Sequence, residues 1–516
     1  MNNTQDILKK LTKEQLRGLS KDDLVHLLLG EQEIREQFEK RLDQAQEERI
    51  LLEEKYVLIK SKVFGRSSEK SPKKLPRSAR KKDKKSRTNF SKNLTDRYPN
   101  VDIREDNIEL EIPPTCSCCQ GQMIDSGMTE DSEYLTVIPK KFLIVRQKKH
   151  KYRCGQCHGD IQTAPGVPRI APGSSYGDEV ILDVSLSKFC DLIPMERYAM
   201  MAGRQGMKDL PSNSLINLTH FLAEFLRPIY EKLLNEIKNS LVVQADETTH
   251  RMLEGHEKSN WYLWGFSSKK ACYFEFHATR SGDVAHEFLK DSSCKTLVTD
   301  VFSGYVKAVR ISNLYREEKN MPPIVSAYCN AHSRRKFDEA RPTEELKEHG
   351  IQDEADFYVA EFEKIYELES EAKGKEAEEV LQIRANMTVF FEGMKARGEK
   401  QIVGISSKSS LAKAINYFIK NYDGLTYFIK DADVPIDNNS QERLLRNPVI
   451  GRKTWYGTHS VNGAKTAAVL FSLVESCKLN KVNPREYFKD LVKVIHEGKS
   501  PPTPSEWMEQ YLAPSG

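Results

Sequence analysis

The 516-residue chain of 59.2 kDa exceeds one compact domain, and at roughly 150 residues apiece it accommodates about three or four. Its 39% hydrophobic and 30% charged residues describe a globular chain with charged, extended segments; no apolar run long enough to span a bilayer occurs, and Met1–Lys10 has no apolar leader core, so we expect a cytoplasmic protein without a membrane partner. The net charge of +4, from 79 basic and 75 acidic residues, decides nothing by itself, and ten cysteines are too few for a disulfide scaffold in a chain this long.

Lys21–Phe64 has no proline and a single glycine, Gly30, and is rich in Glu, Gln, Lys, Arg and Leu. Phe38, Leu42, Ala45, Leu52, Tyr56, Ile59 and Val63 alternate three and four apart, interrupted by Arg49; upstream, Leu24, Leu27, Ile34 and Phe38 follow a heptad whose phase slips near Phe38. So narrow a stripe suits a coiled-coil partner, and residues 1–64 are read as an oligomerisation helix; the competing reading is an amphipathic helix folded back on its own chain. From 65 to 100 the sequence is Ser-, Pro- and Lys/Arg-rich, with Lys81, Lys82, Lys84 and Lys85 in one basic run. Such a segment buries too little to offset its ordering entropy and predicts a flexible linker that is also able to neutralise phosphates.

Residues 101–170 carry two cysteine pairs with strand-like runs, Tyr134–Val137 and Phe142–Val145, between them. Over 171–239, Asp178–Gly206 and Ser212–Asn239 read as helices, with Gly206 ending the first and Pro211 with a Ser/Asn cap opening the second. That is a helix-turn-helix outline, which can read DNA or merely pack. The pattern then becomes β: Leu241–Asp246, Trp261–Phe266, Ala271–Phe276, Thr296–Asp300 and Ile324–Tyr328. Two of these strands terminate on aspartate. A highly charged helical stretch follows at about 337–400, and helices return near Glu442 and over Gly463–Lys478. The fold class is therefore α/β, with a core over 240–460 that carries a helical insertion, and a C-terminal helical element over 461–516.

Three constellations carry chemistry. Cys116, Cys119, Cys154 and Cys157 have paired C-x2-C spacing, which suits a closed, structural Zn²⁺ shell; Cys118 is an alternative to either of its neighbours, and His158 a weaker substitute. Asp246, Asp300 and Glu442 form a possible carboxylate set, the last within Asp437-Asn438-Asn439-Ser440-Gln441-Glu442-Arg443, where the Asn pair is placed to cap a helix. Three acids at one sheet edge repel unless cations sit among them, and hard oxygen ligands suit Mg²⁺ or Mn²⁺; the bland alternative is that strand-end aspartates cap loops. Around them lie His332, Arg334, Arg335 and Lys336 after one strand, and Arg443, Arg446, Arg452 and Lys453 beside Glu442. Cations there make sense if the substrate is a polyanion.

In this order, the heptad helix closing on Phe64-Gly65-Arg66-Ser67-Ser68-Glu69-Lys70, the cysteine module, the helical region and the blocks Ala245–Thr248, Thr299–Tyr305, Cys329–Phe337 and Asp437–Arg443 resemble the insertion-sequence transposases of the IS-sixty-six family. Gly451-Arg452-Lys453, Ser472–Glu475 and Asn483-Pro484 resemble that family's C-terminal element, so the likeness covers about residues 20 to 495. The resemblance implies a DDE transposase with a ribonuclease-H-like core. Asp246, Asp300 and Glu442 would be its acidic triad, holding two Mg²⁺ (or Mn²⁺) ions per active site, and the four cysteines would bind one structural Zn²⁺. It also implies binding of terminal inverted repeats and target DNA, cleavage followed by strand transfer, pairing of two protomers through the amino-terminal helix, and accessory proteins from the same element. His332 and Arg334 fall in the family's basic motif, with phosphate or DNA contact, rather than metal ligation, expected there. The intervals of 54 residues between the aspartates and 142 from Asp300 to Glu442 leave room for the insertion. The rival reading is an inactive or domesticated zinc-containing DNA-binding protein, which the intact acids disfavour; a nuclease that cuts without joining would share the same acids.

Overall fold

The computed structural model describes residues 18, 20–64, 94–98, 101–105, 114–124, 132–138, 140–153, 161–253, 259–343, 347 and 352–512. The basic run Lys81, Lys82, Lys84 and Lys85, and Cys154, Cys157 and His158, lie outside those residues. The chain divides into two compact units, one made of Met1–Val63 and Val145–Gly516, the other of Phe64–Ile144. That division falls inside the stretch 101–170.

Helix α1 is Lys21–Phe64, 44 residues, about 66 Å at the α-helical rise. Ser20 opens it by accepting the Asp23 N–H, and Asp22 and Asp23 complement the positive end of the helix. Val25, Leu28, Leu29, Phe38 and Leu52 are exposed along it. In the smaller unit, Glu133 accepts the first N–H groups of α2, Leu94–Arg97. The two runs expected as strands, Tyr134–Val137 and Phe142–Val145, form no ladder; Tyr134, Leu135, Val137, Leu143, Ile144 and Val145 stay exposed. Alternating apolar character alone does not make a strand where no partner strand covers it. The ladder lies further on, between β1 (Lys151–Arg153) and β2 (Ile161–Thr163), antiparallel with Tyr152 opposite Gln162.

Each helix expected over 178–239 is two. Leu192, held at φ 59°, and Pro194 separate α3 (Asp178–Phe189) from α4 (Met195–Arg204), and the Leu226–Pro228 junction separates α5 (Ser212–Phe225) from α6 (Arg227–Lys238). Gly206 at φ 99° ends α4. Pro211 stands at the cap of α5 with no side-chain cap bond.

The central sheet is mixed, in the order β5-β4-β3-β6-β7. Its strands are β3 (Val242–Arg251), β4 (Asn260–Ser267), β5 (Cys272–His277), β6 (Thr296–Thr299) and β7 (Val325–Tyr328). The first three run antiparallel as a meander, and β6 and β7 lie parallel to β3. Crossovers pass through α7 (Gly282–Leu289) and then α8 (Ser303–Glu318). After β7, α9 (Asn330–Glu339) leads into α10 (Asp356–Ala372), α11 (Ala377–Ala385), α12 (Thr388–Gln401), α13 (Ser410–Lys420), α14 (Tyr422–Thr426) and a 3-10 turn at Tyr427–Lys430. This insertion runs past residue 400 and has its own aromatic core of Phe337, Tyr358, Phe362, Phe391, Phe418 and Phe428. Buried Arg384 closes it, donating to the carbonyls of Phe428, Asp431 and Val434 while paired with Glu369.

Helix α15 (Asn439–Trp455) returns to the sheet, followed by α16 (Val461–Leu479), α17 (Pro484–His496) and α18 (Pro504–Leu512). α16 is buried from Thr466 to Cys477, between β5 and the helices α3, α5 and α6. Ser472 and Ser476 accept the Phe274 and Cys272 N–H groups, and Asn480 donates to the Lys270 carbonyl. These residues, four apart on one helix face, replace the sixth strand that the open edge of β5 would otherwise recruit. Among the described residues no helix is long and apolar enough to cross a membrane.

Candidate active site

Asp246 lies in the middle of β3, not at its end as its sequence context suggested, because the ladder with β4 continues to Arg251. Asp300 follows the last residue of β6. The parallel register that sets Gln244 beside Val298 carries Asp246 to the level of Asp300 two residues later. The Asp300 carboxylate accepts the Phe302 N–H at 3.1 Å, turning the chain into α8.

Glu442 sits in the first turn of α15, which is tied to β3 at both ends. At the start, the Asn438 amide donates to the Ala245 carbonyl at 2.9 Å, Gln244 donates to Asn438 Oδ1 at 3.1 Å, and Ser440 donates to Gln244 Oε1 at 2.5 Å. Asn438 therefore does not cap the helix with its side chain. Asp437 does so instead, accepting the Asn439 N–H at 3.1 Å. Gly265, the cross-strand partner of Asp246, leaves space for Gln441; a Cβ there would stand 2.2 Å from the Gln441 amide. At the far end Tyr456 and Gly457 take positive φ, and Thr458 pairs with Arg251 and Leu253 across the close of the turn. His250 Nε2 and Thr458 Oγ1, 2.7 Å apart, complete the tie.

The three carboxylates share one electrostatic neighbourhood. Burial pushes the Asp246 carboxyl well above its usual range, and the charges of Glu247, Asp300 and Glu442 push it further. Glu247 points elsewhere: its side chain is only 2% exposed, and it accepts from Tyr305 Oη at 2.6 Å and Arg280 Nε at 2.7 Å. Burial raises the Glu247 carboxyl, against the lowering effect of those two donors. The Arg280 guanidinium also lies over the Phe302 ring at 4.0 Å. Glu247, Arg280, Tyr305 and Phe302 thus brace the loop that carries Asp300 against β3. Sequence reasoning gave Arg280 no role, and nothing in Thr279-Arg280-Ser281 signals it.

His332 reaches the same cluster. Its Nδ1 lies 3.7 Å from Glu442 Oε1, so it faces a carboxylate. Arg334 pairs with Glu363 at 3.5 Å, and the Lys336 ammonium stands 4.6 Å over the Tyr417 ring. Arg452 donates to Thr249 Oγ1 at 3.2 Å. Arg335, Lys336, Arg443, Arg446 and Lys453 are exposed. Glu442, Arg446 and Lys453, four and seven residues apart, share one side of α15. By contrast α5, the second helix of the helix-turn-helix outline, contains no Lys or Arg and buries Leu215, Leu218 and Leu222.

In the smaller unit, the Cys116 loop is a tight knuckle. Gln120 at φ 57° closes it, the Gln120 N–H donates to the Cys116 carbonyl at 3.0 Å, and the Cys118 N–H lies 3.4 Å from Cys116 Sγ. Backbone N–H groups of Cys119 and then Cys118 hold the Cys116 thiol below its ordinary pKa.

Residues 173–466, more than half of the chain, match the family model described as Transposase IS66 family. The chain belongs to that family. Transposase function, and with it action on DNA, comes with the membership, and the family's enzymes generally use divalent metal ions. The IS66 chain is also similar to three proteins of Sinorhizobium fredii, each described as uncharacterized. It is 25% identical to y4hP over 410 residues (76% of this chain, 73% of y4hP) and 28% identical to y4jD over 397 residues (75% of each). To y4qI it is 26% identical over 407 residues, 76% of this chain and 72% of that one.

Proposed function

We propose that this protein is a DDE transposase that binds the terminal inverted repeats of its element, cuts there, and joins the freed 3′ ends to target DNA. The observation that carries the reading is the convergence of Asp246, Asp300 and Glu442 from β3, the end of β6 and the first turn of α15. The strand order, with a three-stranded meander followed by two parallel strands, supports a ribonuclease-H-like core interrupted by the α10–α14 insertion. The donor set fits Mg²⁺ or Mn²⁺: all three groups are hard oxygens, and the Asp246 carboxyl, raised by burial first and then by the charges of Glu247, Asp300 and Glu442, is one that a bound cation would relieve. Asp246, Asp300 and Glu442 would hold two such ions, which when bound activate the attacking oxygen and stabilise the leaving one. The protein's own share is positioning. Arg443, Arg446 and Lys453 on α15, with Arg335 and Lys336 on α9, would hold the phosphates of the strand being cut. Arg280, fixed by Glu247, and Phe302 would keep the Asp300 loop in place while the substrate strand enters.

Cys116 and Cys119, with Cys154 and Cys157, would hold one structural Zn²⁺; the N–H groups converging on Cys116 Sγ support Cys116 as one of the ligands. The basic run of Lys81, Lys82, Lys84 and Lys85 would track the DNA backbone, and α1, along which Val25, Leu28, Leu29, Phe38 and Leu52 are exposed, would pair two protomers so that two ends meet in one synapse. The test is strand transfer in vitro, with a labelled duplex bearing the element's end, a plasmid target and Mg²⁺, beside an Asp300→Asn control. Joined product that disappears in the control supports the proposal. Joining that persists in Asp300→Asn would refute the triad.

A further inference from the structure

Cys329, His332 and Glu442 form a cluster different in kind from the oxygen-only set of Asp246 and Asp300. One ligand-capable atom from each, a thiol sulfur, an imidazole nitrogen and a carboxylate oxygen, lies within 4.8 Å of the other two. Cys329 is the cap residue of α9 and His332 lies in its first turn, so C-x2-H spacing at a helix start aims both at the same point. Glu442 comes from the first turn of α15, 3.7 Å from His332 Nδ1, too long for a hydrogen bond. His332 Nδ1 and Glu442 Oε1 are shut off from solvent without any hydrogen-bond partner. Two adjacent polar atoms left unsatisfied, an imidazole nitrogen and a carboxylate oxygen, are the sign of a missing cation.

Asp437, the next carboxylate along the chain, is engaged elsewhere: it accepts from the Asn439 N–H, the Asn439 amide and the Tyr366 hydroxyl. The Asn438 N–H already donates to Cys329 Sγ at 3.2 Å, the kind of backbone support that steadies a metal-bound thiolate. We infer that Cys329, His332 and Glu442 make a second metal site, for a thiophilic divalent cation of the Zn²⁺ class. The mixed sulfur, nitrogen and oxygen donors select such an ion over Mg²⁺, and three protein ligands leave a fourth position open. An ion held there takes Oε1 of Glu442, so this side chain belongs to two sites of opposite preference. The binding claim stands on the three side chains and holds whether or not Glu442 serves in DNA cleavage.

The test uses full-length protein without DNA. Stripped protein is saturated with Zn²⁺, passed through a desalting column, and its zinc measured; a parallel Co²⁺ titration reads the thiolate-to-Co²⁺ absorption. The wild type should retain one equivalent more than Cys329→Ser, and part of the Co²⁺–thiolate band should vanish in that variant. Should Cys329→Ser fail to fold, His332→Ala decides, because its side chain is partly exposed: it should weaken Zn²⁺ retention at this site at least tenfold. Equal zinc content in the wild type and a folded variant, with an unchanged Co²⁺ band, would overturn the inference. Because the readout is metal content, a negative strand-transfer assay leaves it standing, and its failure leaves the transposase proposal standing.

Discussion

Replacing His250 by glutamine should flatten the acid limb of the stability profile. His250 lies in β3, 6% exposed, with Nε2 2.7 Å from Thr458 Oγ1 and its ring packed on Phe276 at 4.6 Å. Burial first, and the Arg452 charge second, lower its pKa from 6.5 to about 4, so the ring is neutral in the fold. The unfolded chain takes up that proton near pH 6.5. A histidine depressed in this way contributes stability that is complete above 6.5 and lost as the pH falls towards 4. A drop of that size corresponds to roughly 3 kcal/mol, of which about 2 kcal/mol is gone by pH 5. At pH 7.5, His250→Gln should be the less stable protein by about 1–2 kcal/mol, through the lost ring packing. At pH 5 the deficit should disappear, because glutamine carries no proton to bind. Urea unfolding of both proteins at the two pH values measures the difference directly. An equal deficit at pH 7.5 and pH 5 would refute the reasoning, since it would mean that the ring is either charged in the fold or not titrating against it.

Four other changes test the architecture around the acids. Ser472→Ala removes the acceptor of the Phe274 N–H on the β5 edge, and thermal melts should show a loss of about 1–3 kcal/mol; no loss would mean that α16 does not close that edge. Glu247→Gln should cost about 1–3 kcal/mol, more than Tyr305→Phe, because the glutamate serves both Tyr305 and Arg280; the reverse order in a melting comparison would contradict the bracing role. The raised Asp246 carboxyl means that the metal-free fold holds that proton more tightly than the unfolded chain, so this group subtracts stability as pH rises through and above the usual carboxylate range. Asp246→Asn should therefore melt higher than the metal-free wild type at pH 7.5, by about 1 kcal/mol, while Mg²⁺ should raise the melting temperature of the wild type alone. Deleting residues 1–64 should make the chain sediment as a monomer, and a truncated chain that still sediments as an oligomer would place self-association elsewhere.

The strands were legible because β4, β5, β6 and β7 are short, apolar and flanked by turns, and each was placed within a residue or two. β3 was cut short in the sequence reading because Asp246-Glu247-Thr248-Thr249 is polar, and hydrophobic periodicity cannot see a strand whose polar half is held by a ladder and buried partners. The same limit explains Tyr134–Val137 and Phe142–Val145, where an apolar pattern has no partner strand among the described residues. Helix breaks at Leu192–Pro194 and Leu226–Pro228 were marked by proline, yet the apolar period ran across both. Those misses share one cause: local pattern reports which side chains want burial, whereas ladders and breaks depend on where other segments lie.

The acids show why a candidate site is easier to propose from sequence than its support. Asp246 and Asp300 stand out because each closes an apolar run, and Glu442 because it lies in the polar block Asp437–Arg443 ahead of a basic helix. What gathers them is spread over residues that look ordinary in sequence: Gln244, Asn438 and Ser440 tie one end of α15 to β3, and His250, Thr458 and Gly457 tie the other. With both ends fixed, the first turn of α15 is held over Asp246, so Glu442 stays beside like charges that would otherwise drive it outward. The repulsion is built into the fold by hydrogen bonds remote from it in sequence, and a cation is the group that relieves it.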